Sequence, residues 1–263
     1  MAKVISIPSS IEKLRSKAFS SSGVENITIG KNVSDIDTTT YAGSFDYCSY
    51  SLLRIVVDGD NKKYDSRNNC NAIIEKETNK LIVGCKNTII PESIKAIGDT
   101  AFCRCMELTN IVIPDGVTSI GTGAFDNCTG LTNVSFPDSL TTIGVKAFYS
   151  CNSLTSITIP INLNNISSMA FGYCNSLEEC RILSNLQKLE NSIFTNCSKL
   201  KTINIPDSVT EIGPYVFKGC TSLTNLEIPS QVSTIYHDAF YNVPHISYTG
   251  NATGARWGAI RMN

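Results

Sequence analysis

Phenylalanine recurs every 23 residues along most of this chain, at Phe102, Phe125, Phe148, Phe171, Phe194, Phe217 and Phe240, without slippage. A fixed period of that length marks a repeat architecture, in which each unit is one supersecondary element that stacks on its neighbours. The same frame surrounds each Phe. One copy reads Leu131-x-x-Val134-x-Phe136-Pro137-x-x-Leu140-x-x-Ile143-Gly144-x-x-Ala147-Phe148-x-x-Cys151. Upstream the frame persists with damage: Ile5-Ser6-Ile7-Pro8 leads to Ala18-Phe19, and Ile27-Thr28-Ile29 leads to Phe45.

The alternation in Leu-x-x-Ile-x-Ile is the period of a strand with one buried face. Pro137 and its equivalents end that strand, because proline lacks the ladder donor and restricts the residue before it. Val117-x-x-Ile120 then turns inward twice and ends on Gly121, which bends freely. Ala124, Phe125 and Cys128 lie three or four residues apart, which predicts one face of a single helical turn. Pro214 suits the start of such a turn. A lone rung leaves its flat faces wet. Stacking at roughly 4.8 Å buries them and makes ladders of like residues.

The expected domain is therefore one solenoid over residues 1–263, of about nine rungs. Between Asp58 and Pro91 the frame is lost. There Asn71 to Ile74 and Lys80 to Val83 flank a polar stretch, predicting a β-hairpin that projects from the stack or is inserted in it, within an excursion over 59–90. Residues 246–263 start a last strand and then break the pattern, with Trp257 expected to cover the last rung. The first copy opens at its strand with no capping segment, so an extension toward the N-terminus is expected. Met1 to Leu14 carries no apolar segment of the kind a signal peptide needs.

The motif Ile-Pro-x-x-Val-x-x-Ile-Gly-x-x-Ala-Phe-x-x-Cys-x-x-Leu, clearest over Ile113 to Leu131 and Ile205 to Leu223, resembles the BspA-like, or treponemal-type, leucine-rich repeats. The excursion and the ending with Tyr248, Gly250 and Trp257 also resemble segments of that family. The resemblance implies a leucine-rich-repeat solenoid, mostly β with short helical turns and a parallel sheet on its concave side. It implies a secreted or cell-surface protein that adheres to host or neighbouring-cell proteins, and it carries over no catalytic or binding residue.

Composition narrows the function from the other side. A net charge of -1 gives no electrostatic reason to expect nucleic acid or anionic lipid as a partner. No apolar run is long enough for membrane insertion. Eleven cysteines cannot all pair within one chain. Cys105, Cys128, Cys151, Cys174, Cys197 and Cys220 recur once per rung, with Cys48 as an outlier. Such a row is not the closed tetrahedron zinc needs, and its parallel side chains disfavour disulfides, so these cysteines read as small buried hydrophobes. Cys70 and Cys85 flank the hairpin, and a disulfide between them stays open.

His237 and His245 have no nucleophile motif near them, and neither a phosphate loop nor a carboxylate pair is evident, so no enzyme, metal or cofactor is expected. Asn-x-Ser/Thr triplets such as those at Asn127, Asn133 and Asn196 follow from composition and read as structural.

The candidates that remain are the outward positions of the strands. One row runs Thr28, Val56, Val112, Ser135, Thr158, Arg181, Asn204, Glu227, and its neighbour runs Asn110, Asn133, Ser156, Glu179, Thr202, Asn225. Charge enters only toward the C-terminal half. The candidate ligand-binding set is Thr158, Glu179, Arg181, Thr202, Asn204, Asn225 and Glu227, on a face suited to an extracellular or host protein or a glycan. A monomer is expected. The competing reading is a structural spacer that holds another domain away from the cell.

Overall fold

The computed structural model describes residues 3–46, 50–248, 250–252 and 257–258. The chain winds as a solenoid of about 11 turns, because the segment 59–90 and the closing strand add turns to the nine Phe-bearing rungs. Each rung supplies three walls. The first is the concave parallel ladder, in which Val4–Ser6 pairs with Asn26–Ile29 and that strand with Arg54–Val57. The ladder is built again from Asn110–Val112 and Asn133–Ser135, then from Ser156–Ile159, Glu179–Ile182 and Thr202–Ile203. Leu226–Ile228 and Ile246–Tyr248 close it. From Asn110 to Thr202 every paired register is one period of 23 residues, and although the offset is 28 between Asn26 and Arg54 and 20 between Leu226 and Ile246, each outward side chain still stands above its counterpart.

The second wall is made of two-residue strands such as Ser119–Ile120 and Thr142–Ile143, which follow the proline of each rung. The third wall is the Ala-Phe-x-x-Cys segment. Its side chains point as expected, with Ala124, Phe125 and Cys128 fully buried. Its backbone is a succession of tight turns, and no α-helix occurs among the described residues. The reason is a pair of left-handed residues two before and two after the Phe, present in the Phe19 rung and in every rung from Phe102 to Phe240: Gly123 and Asn127 at φ 59° and 58°, Lys146 and Ser150 at 55° and 57°. A left-handed residue cannot continue a right-handed helix. Here it turns alternate N–H groups toward the next rung. Gly123, Phe125 and Asn127 donate to the carbonyls of Val145, Ala147 and Tyr149 at 2.8, 2.7 and 2.8 Å.

Inside the walls the Phe side chains form one stack. From Phe102 to Phe240 consecutive ring centroids lie 4.9 to 5.8 Å apart with interplanar angles of 6 to 9°. Phe19 and Phe45 form a separate pair, 5.1 Å apart.

What separates them is the excursion, which is inserted in the stack rather than projecting from it. Ile73–Glu75 and Lys80–Val83 form an antiparallel hairpin, and Lys80–Val83 pairs in parallel with Ala96–Ile97 of the second wall. Adjacent residues of the hairpin face opposite cores: Ile73 and Ile82 belong to the N-terminal cluster, Ile74 and Leu81 to the C-terminal one. Asn61 fastens this insert to the N-terminal rungs. Its buried side chain donates to the carbonyls of Gly30 and Val33 and accepts from the N–H groups of Lys63 and Tyr64.

At the far end Trp257 packs against the last rung, edge-on to Tyr248 at 5.5 Å, and its carbonyl accepts the N–H of Phe240. The rest of the expected cap, residues 249, 253–256 and 259–263, lies outside the described residues, as does Cys48.

Candidate functional site

The seven candidate residues all sit exposed on the concave face. Alternation puts them there: Ser156–Ile159 and Glu179–Ile182 each run exposed, buried, exposed, buried, with Ile157, Ile159, Cys180 and Ile182 inside. The register brings Thr158 beside Arg181 and Glu179 beside Thr202. Two shallow depressions of about 370 and 380 Å³ lie side by side on this surface. Glu179, Arg181 and Thr202 line the first, Asp207 and Glu227 the second, and Asn204 and Asn225 line both.

Asn204 differs from its neighbours. Its amide donates to the carbonyl of Ile182 and accepts from the N–H of the same residue, both at 2.8 Å. It completes the strand ladder where Thr202–Ile203 ends, so its side chain is already engaged.

Some charged residues off the concave face pair: Lys188 with Glu211 at 2.7 Å in the second wall, and Lys201 with Glu178 at 2.6 Å beside the strands. On the concave face Glu179, Arg181 and Glu227 take part in no ion pair among the described residues. An arginine fork and two carboxylates on an open polar surface are available to a partner's charges.

Two features escaped sequence reasoning. Ile89 was not placed in the outward row, although Ile90-Pro91 stands one period before Ile113-Pro114 and aligns Ile89 with Val112. The second is a role for the cysteine ladder beyond filling space. From Cys128 onward each ladder thiol donates to the carbonyl of a Phe in the preceding rung: Cys128 to Phe102, Cys151 to Phe125, Cys174 to Phe148, Cys197 to Phe171 and Cys220 to Phe194, at 3.1 to 3.2 Å. A small thiol was legible as a hydrophobe. The carbonyl it meets lies 26 residues away in the chain and is set by stacking.

Cys70 and Cys85 are free and buried, so no disulfide joins them. Burial pushes the thiols of Cys105, Cys174 and Cys220 up to about 12. Native protein at pH 8 should therefore leave the ten described thiols unreacted toward Ellman's reagent, and denaturation should release all eleven. Rapid native labelling of more than one thiol would contradict the buried ladder.

His237 packs edge-on against Tyr215 at 5.0 Å. Among the described residues no group of His, Cys, Asp or Glu is placed to hold a metal ion, and no helix is long and apolar enough to cross a membrane.

Comparison with known proteins follows the repeat. The pattern described as a BspA type leucine rich repeat region matches residues 2–52, 72–201 and 187–251, in 6 copies. The chain belongs to the BspA-type leucine-rich-repeat family. Solved structures of bacterial leucine-rich-repeat proteins share its fold. One from Eubacterium ventriosum is similar with a TM-score of 0.63 at 22% identity, over 84% of this chain and 54% of that one. The pneumococcal vaccine antigen PcpA is similar with a TM-score of 0.60 at 20% identity, over 97% of this chain and 67% of that one. A leucine rich cell surface protein from Faecalibacterium prausnitzii has a TM-score of 0.50 at 21% identity, over 93% and 81% of the two chains. This BspA-type chain thus spans about half the length of the Eubacterium protein. No match is found among curated proteins.

Proposed function

We propose that this BspA-type chain is a non-enzymatic binding module, a cell-surface adhesin whose concave face between Thr158 and Glu227 recognises an extracellular or host protein or a glycan. The observation that carries the reading is the set of unpaired charges Glu179, Arg181 and Glu227 on an open polar strand face. Extended shallow faces suit macromolecular ligands, whereas small molecules favour deep apolar pockets. The descriptions of two relatives, as a vaccine antigen and as a cell surface protein, agree with display outside the cell.

The test is binding of the chain to a panel of extracellular-matrix proteins and glycans at two salt concentrations, beside the variant Arg181→Glu with Glu227→Lys. Saturable, salt-sensitive binding that weakens at least tenfold in the variant, about 1.4 kcal/mol, supports the concave-face adhesin. The rival reading is a spacer that holds another domain away from the cell. Its support is the uninterrupted Phe stack from Phe102 to Phe240, which would make a stiff rod. Absence of binding across the panel favours the spacer.

A further inference from the structure

The first rungs meet the rest of the stack at a seam. No strand within residues 3–57 pairs with a later strand among the described residues: Val4–Ser6, Asn26–Ile29 and Arg54–Val57 form one sheet, and Lys13–Leu14 with Asp35–Ile36 another. The insert, by contrast, is laced into the later array by a seven-stranded sheet that runs from Tyr64–Asp65 through the hairpin to Asn165–Ile166. Side chains of the insert supply hydrogen bonds across the seam. The Tyr64 hydroxyl accepts the N–H of Ile36 at 3.3 Å, the Ser66 hydroxyl accepts that of Val57 at 2.9 Å, and the Asn87 amide donates to the carbonyl of Leu53 at 3.1 Å. A small cavity of about 20 Å³ lies there, lined by Phe45 from the first rungs, Ile82 and Val83 from the insert and Ala101 from the array.

One side chain reaches over this seam from the first rungs themselves. Tyr41, in the loop between Asp35–Ile36 and Phe45, sets its hydroxyl end against the rung of Phe125: a Cβ at Gly123 would stand 2.7 Å from its Oη and 3.1 Å from its Cζ. The hydroxyl donates to the carboxylate of Asp126, a buried group that also accepts the Asn127 amide at 2.7 Å. The receiving rung is shaped for this contact. From Phe102 to Phe240, only the Phe125 rung has glycine two residues before its Phe and aspartate directly after it. The other rungs carry Thr100, Lys146, Met169, Ser192, Tyr215 and Asp238 at the glycine position, all left-handed like Gly123. The backbone there accepts a side chain, so the space left at Gly123 serves the tyrosine. We propose that residues 3–57 open from the array as a unit along this seam, and that Tyr41 is the clasp that holds them shut. Opening parts Phe45 from Ile82 and Val83 while the stack from Phe102 to Phe240 stays whole, so it costs less than global unfolding. The device is independent of what the concave face binds.

Hydrogen exchange of the whole chain, followed by mass spectrometry, tests it, because amides that open together exchange as one group. The amides of Asn26–Ile29 and Arg54–Val57 should exchange together, and faster than those of the array from Phe125 to Phe240. Tyr41→Phe removes only the hydroxyl. It should speed exchange of the first group at least tenfold and leave the array unchanged. Gly123→Lys, which places the residue of the next rung under the tyrosine, should act on the same group to a similar extent. Because both changes break one contact, the double variant should exchange no faster than the faster single one. Tyr149→Phe is the control, since its ring meets Tyr173 inside the array at 5.1 Å, and it should leave the first group as it is. Unchanged exchange of the first group in Tyr41→Phe overturns the proposal. So does acceleration spread equally over the array, or a double variant in which the two effects multiply.

Discussion

Phe171→Ala is expected to destabilise the chain by about 3–5 kcal/mol, the cost of removing a buried aromatic side chain and leaving most of its cavity behind. Phe171 is fully buried, and its ring lies 5.4 Å from that of Phe148 and 5.8 Å from that of Phe194. Two offset stacking contacts, each worth roughly 0.5–1.5 kcal/mol, are lost together with the packing. Position in the stack sharpens the prediction. A solenoid holds together through nearest-neighbour interfaces, so a central cavity weakens the coupling on both sides. Phe19, 8% exposed and paired with Phe45 alone, should lose less on truncation. Guanidinium unfolding followed by circular dichroism should show a lower midpoint for Phe171→Ala than for Phe19→Ala. The central variant should also broaden or split its transition as the two halves uncouple. Equal midpoints for the two variants would remove the continuous Phe stack as the main source of cohesion.

Gly84→Ala should cost about 1–3 kcal/mol, the range for an extra group forced into a filled core. Gly84 closes the hairpin strand and lies under Phe102, the first ring of the long stack. A Cβ at this position would stand 2.2 Å from Cε1 and 2.4 Å from Cζ of that ring. Phe102 is fully buried, with Phe125 stacked on its other face at 4.9 Å, so the ring has nowhere to retreat. The compensating change is Phe102→Leu, which makes room for the methyl group. The double variant should be more stable than the sum of the two single losses implies, and a double-mutant cycle from unfolding midpoints measures that coupling. Additive losses would mean that the ring and the glycine do not press on one another.

The contrast between these positions shows what the sequence made legible. Phe171 announced itself by period alone, because a strict repeat leaves each ring a single environment. The outward candidates Thr158, Glu179, Arg181 and Glu227 were legible for the same reason: strand alternation assigns a face to each position once the buried row is known. Gly84 carried no such signal. Its importance comes from a ring 18 residues further on, brought over it by the inserted hairpin. Asn204 was legible as outward but not as engaged, because its partner, the backbone of Ile182, lies one rung away.

The repeat by itself thus determined the architecture: a 23-residue frame, a strand before each proline, a buried row of Phe and Cys, and a polar concave face. Those features depend on spacing within one rung, and spacing is written in the chain. The tertiary structure decided the backbone of the third wall. Lys146, Ser150, Met169, Tyr173 and Asp238 all hold left-handed conformations that their side chains disfavour by about 1–2 kcal/mol each. Read locally, the same residues permit a helical turn. They adopt the other conformation because it aims their own N–H groups and that of the intervening Phe at the adjacent rung, as when Lys146, Phe148 and Ser150 donate to the carbonyls of Ser168, Ala170 and Gly172, and those hydrogen bonds exist only once rungs are stacked.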